Sequence, residues 1–337
     1  MTPFLPLDWL PLVFAGLMAG SILAYVVLDG FDLGVGILLP RVAEEADRDR
    51  MIAAIGPFWD ANETWLVLGV GLLLVAFPVA HGIVLTSLYL PVALMLVALT
   101  LRGVAFEFRA KATDAQGRRR WDRAFVAGSL IAALSQGWML GRYVLGFAEG
   151  AAAHAFAAMA AAGLTIAYAF IGATWLIWRT EGALQQRAIL WARQAIWPMA
   201  AGILLVSTIT PLVSPRIFER WFTAPEVFLL ALLPTATAAL LLALSKLLEH
   251  MPYPDDALHH IPFWGAVALF VLFFAGLAWS FFPYVVPERL TIWQAASAPE
   301  SLTIILVGAM LVLPIIFAYT VLAWCIFGGK ARDLTYY

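Results

Sequence analysis

Four carboxyl groups in two short stretches are the residues of this sequence best placed to do chemistry. Leu28-Asp29-Gly30-Phe31-Asp32-Leu33-Gly34 sets two aspartates three residues apart, and Trp59-Asp60-Ala61-Asn62-Glu63-Thr64-Trp65 repeats the spacing with Asp60 and Glu63. Residues three apart share a helix face, so each pair points one way. Both stretches lie inside or against apolar runs long enough to cross a bilayer. An acid at mid-membrane depth costs roughly 3 kcal/mol on insertion scales, so four of them call for a use. Acids held in a low dielectric can exchange protons near neutral pH, which points to proton conduction or ion coupling. Arg102 and Glu107 add charge near the end of the third apolar run. Trp59, Asn62 and Trp65 stand among the acids; such tryptophans usually pack, and their N–H groups also suit the orienting of a carboxylate.

The elements that must position these groups follow from composition. The 337 residues are 63% hydrophobic and 12% charged, with a mean hydropathy of +0.88, too little charge for a soluble chain of this length. Nine apolar runs are each long enough for a transmembrane helix: 10–39, 52–78, 83–108, 125–147, 155–178, 189–213, 227–248, 263–285 and 302–327. The fold class is therefore an all-α polytopic membrane protein with nine spans and short connections. Proline inside several runs (Pro91, Pro198, Pro211, Pro234, Pro314) is tolerated where neighbouring helices satisfy the freed carbonyl. Gly16, Gly20, Gly30 and Gly34 make small-xxx-small pairs suited to close helix approach. Trp9, Trp121, Trp178, Trp221 and Trp293 fall near run ends and read as interface anchors.

Orientation follows from the basic residues. Of the 20 Lys and Arg, Arg142, Arg216, Arg220 and Arg289 fall on one side and the remaining sixteen, Arg332 among them, on the other. The positive-inside rule then puts the N-terminus outside and the C-terminus in the cytoplasm. At 1.5 Å per residue, Asp29 lies about 15 Å and Asp32 about 10 Å from the cytoplasmic end of the first run. Counted the same way, Asp60 is about 12 Å deep, Glu63 about 17 Å and Arg102 about 10 Å, with Glu107 near the surface. Three successive helices thus bring acids and one arginine to a common layer, while runs four to nine carry no comparable acids. A plain ion pair of Asp32 or Asp60 with Arg102 would explain one acid and leave the others over, which favours a proton-conducting reading.

Other chemistry is thinly represented. A lone Cys325 gives neither an internal disulfide nor a cysteine-ligated cluster. His81, His154, His250, His259 and His260 all avoid the middle of apolar runs, so a bis-histidine haem site is not expected here. The stretch from His250 to His260 with Asp255 and Asp256 reads as a solvated loop rather than a metal site. The N-terminus lacks a positive n-region and a small-residue cleavage pattern, so the first run reads as retained. No metal, no nucleic-acid partner and no catalytic residue in this chain alone are expected.

At these residues the chain resembles subunit II of the cytochrome bd-type quinol oxidases. The likeness rests on Leu28 to Gly34, on Trp59 to Trp65, and on Arg102-Gly103-Val104-Ala105-Phe106-Glu107-Phe108-Arg109; it continues through Gly172-Ala173-Thr174-Trp175-Leu176 and Thr180-Glu181-Gly182. Ala61 stands where the family usually has glycine. The length and the Phe106-Glu107-Phe108-Arg109 wording look most like the cyanide-insensitive branch. The resemblance implies two four-helix bundles (about 8–148 and 153–286) with a peripheral ninth helix (about 301–328) in a bacterial inner membrane. It implies a heterodimer with a homologous subunit I that carries the haems, room for a small accessory single-helix subunit, and quinol and dioxygen as substrates of the complex. Matched residue by residue, Asp60 is the membrane acid on a proton path at the subunit I interface. Asp29 and Asp32 feed or stabilise it, with Glu63 and Glu107 as further path acids and Arg102, Trp59 and Asn62 as support. Trp65 matches a position linked to oxygen access in some members. Some members also hold a structural quinone in this subunit, for which no motif stands here. A proton-coupled secondary transporter acting alone is the rival reading, since transporters also place acids at broken mid-membrane helices. A purely structural assembly subunit is the third.

Overall fold

Proline, glycine and the ends of the apolar runs decide where the helices stop. The computed structural model describes residues 9–331, so Arg332 and the residue 8 boundary lie outside the described residues. Helix α1 (Trp9–Leu38) carries no charge before Asp29 and ends where Pro40 enters a 3-10 turn, Leu39–Arg41. Helix α2 (Glu45–Ile55) has Glu45 and Asp47 in its first turn, where carboxylates complement the positive end of the helix dipole. The Gly56-Pro57-Phe58 link then bends the chain by 46° into α3 (Trp59–Ala76). Pro57 offers no N–H to a continuing helix, and its ring crowds the preceding turn. The expected second span, 52–78, is therefore a broken one.

Phe77 breaks the chain again, and α4 (Pro78–Ser87) opens on Pro78 at the position where a missing N–H costs nothing. Helix α5 (Tyr89–Lys111) starts only after this, so the third span begins later than 83. Helix α6 (Ala115–Val144) begins well before residue 125 because Asp114 caps it, its carboxylate accepting from the Gly117 N–H at 3.2 Å. Helices α7 (Ala151–Arg179), α8 (Gly182–Val213), α9 (Pro215–Phe222), α10 (Glu226–Leu230), α11 (Leu232–His250) and α12 (Ile261–Phe281) follow. Pro283 ends the eighth apolar run early, and an unexpected antiparallel hairpin takes its place: β1 (Tyr284–Val286) and β2 (Leu290–Thr291), with Tyr284 opposite Thr291. Helix α13 (Ile292–Ala295) and the long α14 (Pro299–Ile326) complete the chain. Among the described residues eight helices are long and apolar enough to cross a membrane, or nine if α2 and α3 count as one bent span.

Helix α7 is the central strut, packed on α1, α6, α8 and α12. Its closest approach is to α1. A Cβ on Gly34 would sit 1.9 Å from the Tyr168 carbonyl oxygen, and one on Gly172 would sit 2.5 Å from the Gly34 carbonyl carbon. Only the lower half of the glycine stripe is used this way, because Gly16 and Gly20 face nothing within 4 Å. The main apolar core surrounds this seam, from Phe31 and Leu33 to Trp175, Leu248 and Phe263. A second cluster, with Phe14, Phe77, Val286 and Leu302, closes the hairpin end. At the opposite, arginine-rich end, α2 is tied down by ion pairs: Asp47 with Arg187, Asp49 with Arg109 at 2.7 Å, and Glu45 with Arg118 at 2.7 Å. In the loop before α12, burial pushes the Asp256 carboxyl up, but hydrogen bonds from Lys330 and Gln185 outweigh it and hold the group below the usual carboxylate range.

Candidate functional site

The acids gather around one arginine. Arg102, just past the middle of α5, is 1% exposed. It reaches the core because α6 comes close behind it: a Cβ on Gly128 would lie 2.7 Å from the Ala98 carbonyl oxygen and 3.0 Å from the Arg102 nitrogen. The two ends of its guanidinium take two acids from two helices. Nη1 stands 2.6 Å from Asp29 Oδ1 on α1, off the hydrogen-bond axis. Nη2 donates to Glu63 Oε1 on α3 at 2.5 Å. Asp32, one turn further along α1, is paired separately: Asn62 Nδ2 donates to its Oδ2 at 2.8 Å and also to the Leu28 carbonyl at 3.3 Å.

This pairing differs from the sequence expectation in a specific way. Arg102 meets neither Asp32 nor Asp60. It serves Asp29 and Glu63 together, so one ion-pair centre accounts for two acids and Asn62 accounts for a third. What it leaves over is Asp60, which lies in the first turn of α3, just after the bend, and is exposed. Depth counted along an unbroken helix from residue 52 therefore does not apply to it. The spacing of Asp60 with Thr64, Val67 and Leu74 puts it on the uncovered stripe of α3, with Val67 71% exposed. Glu107 is likewise exposed, on the stripe of α5 that bears Leu90, Leu94, Val97 and Val104. Glu63 bridges the two settings, since its side chain keeps 27% exposure while bonded to Arg102. The site thus has a sealed part, Asp29 with Asp32, Asn62 and Arg102, and an outward part, Asp60 and Glu107, with Glu63 between them.

The aromatic neighbours differ in role. Trp59 is half-buried and packs on Phe106 at 5.1 Å, with its ring against Gly103, so it fills the gap between α3 and α5 near Arg102. Trp65 is half-buried, and its indole Nε1 is enclosed without a hydrogen-bond partner among the described residues. His250 and His259 bond to the backbone carbonyls of Lys246 and Asp256.

Two polar groupings escaped the sequence reading. The first extends the site sideways. The Tyr168 hydroxyl on α7 donates to Gln136 Oε1 on α6 at 2.6 Å, and Gln136 Nε2 donates to the Tyr25 hydroxyl on α1 at 2.8 Å, with Tyr25 next to Asp29. A glutamine in the apolar stretch of α6, and a tyrosine one turn before Asp29, were the available signals. The second is Asp122, whose carboxylate takes Arg109 Nε at 2.5 Å and Arg48 Nε at 3.2 Å. It sits among Arg118, Arg119, Arg120 and Arg123, a context that reads as a solvated charge run.

A buried arginine holding two carboxylates can position charge and exchange protons only where one partner reaches water or another protein, and here that partner is Glu63. Comparison with known proteins fits this arrangement of helices. The family model for cytochrome bd terminal oxidase subunit II matches residues 10–327. A probable cytochrome oxidase subunit 2 from Haemophilus influenzae is 28% identical, covering 96% of this chain and 95% of that protein. The cytochrome bd-I ubiquinol oxidase subunit 2 of Escherichia coli is 27% identical over 92% of this chain and 91% of its own length. A chain of the bd oxidase from Geobacillus thermodenitrificans shares the fold with a TM-score of 0.75 at 16% identity, covering 95% of this chain and 98% of that one. With the motifs around Asp29, Asp60 and Arg102 in place along the full matched length, the chain belongs to the cytochrome bd terminal oxidase subunit II family.

Proposed function

We propose that this chain is the haem-free subunit of a membrane quinol oxidase and supplies a cytoplasmic proton path to the oxygen-reducing centre of a haem-bearing subunit I. One observation carries the reading. Asp60 on α3 and Glu107 on α5 are exposed beside bare apolar residues of their own helices, Glu63 is partly exposed, and Arg102 connects Glu63 directly to the sealed Asp29. A lipid-facing aspartate is costly, whereas one facing a partner's polar groups is not. Asp60 is then the acid that hands protons across the interface, Glu63 its neighbour on the same helix, and Asp29 with Asp32 the sealed acids beside Arg102. Glu107 collects protons near the inner surface, and Trp65 borders an oxygen route. The quinol is oxidised outside and the chemical protons come from the cytoplasm, so charge separates without a separate pump. This needs the N-terminus outside, as the distribution of Lys and Arg supports. The two-bundle arrangement with α14 as the peripheral helix belongs to the same reading, supported by how little of α14 is covered. A small accessory subunit and a structural quinone remain compatible with it. The autonomous transporter is not favoured, since the chain falls in an oxidase-subunit family.

The test is Asp60→Asn in the assembled complex. Turnover with quinol is expected to fall at least about tenfold, equivalent to roughly 1.4 kcal/mol in the barrier, with the haem spectrum intact. Full turnover with haems retained removes Asp60 from the path. If Asp29→Asn and Asp32→Asn are also silent in assembly and turnover, the chain is an assembly subunit only.

A further inference from the structure

We infer an oxyanion site built on Arg179, taking the phosphate group of a phospholipid headgroup or of free inorganic phosphate. Four arginines of the described chain are buried: Arg102, Arg109, Arg142 and Arg179. Arg102 has Asp29 and Glu63, Arg109 has Asp49 and Asp122, and Arg142 has Glu149 and the carbonyls of Phe147 and Ala148. Arg179, the last residue of α7, is 4% exposed and has no acceptor for its side chain among the described residues. Its guanidinium lies over the rings of Phe58 at 5.5 Å and Trp175 at 5.3 Å. Ring faces attract the charge but accept none of the five N–H groups, which point outward in the guanidinium plane.

A second enclosed donor belongs to a ring packed on the same two aromatic side chains. The indole of Trp324, near the end of α14, packs on Trp175 at 5.3 Å and on Phe58 at 5.8 Å, the two rings that carry Arg179. Its Nε1 is also enclosed without a partner among the described residues. The acid beside this corner, Asp256, is engaged by Lys330 and by Gln185 at 2.6 Å. Lys330 also donates to the Thr180 carbonyl at 2.9 Å, and the Ala331 N–H donates to the Arg179 carbonyl at 2.7 Å, so the acid nearest this corner is already matched by a lysine and leaves the Arg179 charge uncompensated among the described residues. Two enclosed donors and one unmatched arginine charge ask for an anion with several acceptor oxygens. Phosphate meets a guanidinium in that way, two oxygens to two N–H groups. The end of an apolar span, beside the exposed Ile326 and Phe327, is also where headgroup phosphates lie.

The experiment uses the intact complex, stripped of lipid in detergent, and reads native-mass adducts and thermal unfolding with added phosphatidylglycerol or sodium phosphate. The natural chain is expected to keep one phosphatidylglycerol and to gain several degrees on its return. Arg179→Gln should bind at least tenfold more weakly, Arg179→Lys should retain part of the affinity, and the exposed Arg193→Gln should match the natural chain. A response to sodium phosphate alone assigns free phosphate as the source, and a response to the lipid alone assigns the headgroup. Equal adducts and equal stabilisation in the natural chain and Arg179→Gln overturn the site, as does the absence of any response. Should Arg179→Gln fail to assemble, Trp324→Phe decides: a threefold or greater weakening supports the site, and unchanged binding overturns it.

Discussion

At the scale of single residues, the arrangement around Arg102 shows how one cation serves a sealed acid and a partly exposed one together. Asp29 and Arg102 are both essentially inaccessible, so each depends on the other for charge compensation, while Glu63 retains a route to the surface. Removing one member of a buried pair leaves the other uncompensated, which typically costs about 3–5 kcal/mol, whereas removing both with apolar or neutral groups is often close to neutral. Arg102→Met is therefore expected to destabilise the complex by about that amount or to prevent its assembly. Adding Asp29→Asn should recover part of the loss, since only Glu63 then lacks its partner, and Glu63 is the acid that water reaches. Arg102→Met with Glu63→Gln should recover less, because Asp29 stays sealed. Thermal unfolding of the purified variants measures all of these, and equal recovery by both second substitutions would contradict the division into sealed and outward acids. The Tyr168–Gln136–Tyr25 chain has a fixed sense, hydroxyl to amide to hydroxyl toward Asp29. An amide in its middle makes it a poor proton wire and a good orienting frame.

At the scale of helices, most of the architecture was legible and the breaks were not. Hydrophobic run length placed the spans because lipid demands about twenty apolar residues per crossing. The same signal is blind to a bend, since Ile52 to Pro78 is apolar on both sides of Pro57, and only the geometry shows the 46° turn that puts Asp60 at the start of a helix. The hairpin at Tyr284–Thr291 was hidden for the same reason: valines serve a strand as well as a span. Arg102 was visible as a charge in an apolar run, but its choice of Asp29 and Glu63 depends on which face α3 turns after the bend. The glycine stripe of α1 was legible only as a stripe; which half is used depends on α7. Gly34→Ala is accordingly expected to cost about 1–3 kcal/mol through overpacking, because its new Cβ meets backbone atoms of α7 that have no rotamer to escape into. Gly20→Ala, facing open space, should be neutral or slightly stabilising, since alanine is the better helix former by about 1 kcal/mol. Melting temperatures of the two variants in the same detergent check the contrast, and similar values would deny α7 its place as the strut.

At the scale of the whole molecule, the question is what covers the uncovered side. Two stripes are bare: that of α3 with α5, where Val67, Leu90 and Val97 are each more than 60% exposed, and that of α14, where Ile304, Leu311 and Ile315 are equally so. Lipid satisfies bare apolar surface as well as protein does, so exposure alone does not tell an interface from a lipid face. The acids do. Asp60 and Glu107 lie on the first stripe, whereas the second has Glu300 only at its very start and no further acid through Ile326. A charged group toward lipid is penalised throughout the life of the protein, so the acid-bearing stripe is the one expected to meet a partner. Bulk separates the two faces without changing charge. Val67→Trp combined with Val97→Trp should block docking by overfilling a packed interface, so that the haem-bearing partner no longer co-purifies. Leu311→Trp combined with Ile315→Trp adds comparable bulk to α14, where fluid lipid yields, and should leave co-purification and haem content unchanged. The measurement is the haem absorbance per mole of this chain after affinity purification. Loss of haem from the α14 variant with retention in the α3–α5 variant would place the partner on the other side and take Asp60 out of the interface.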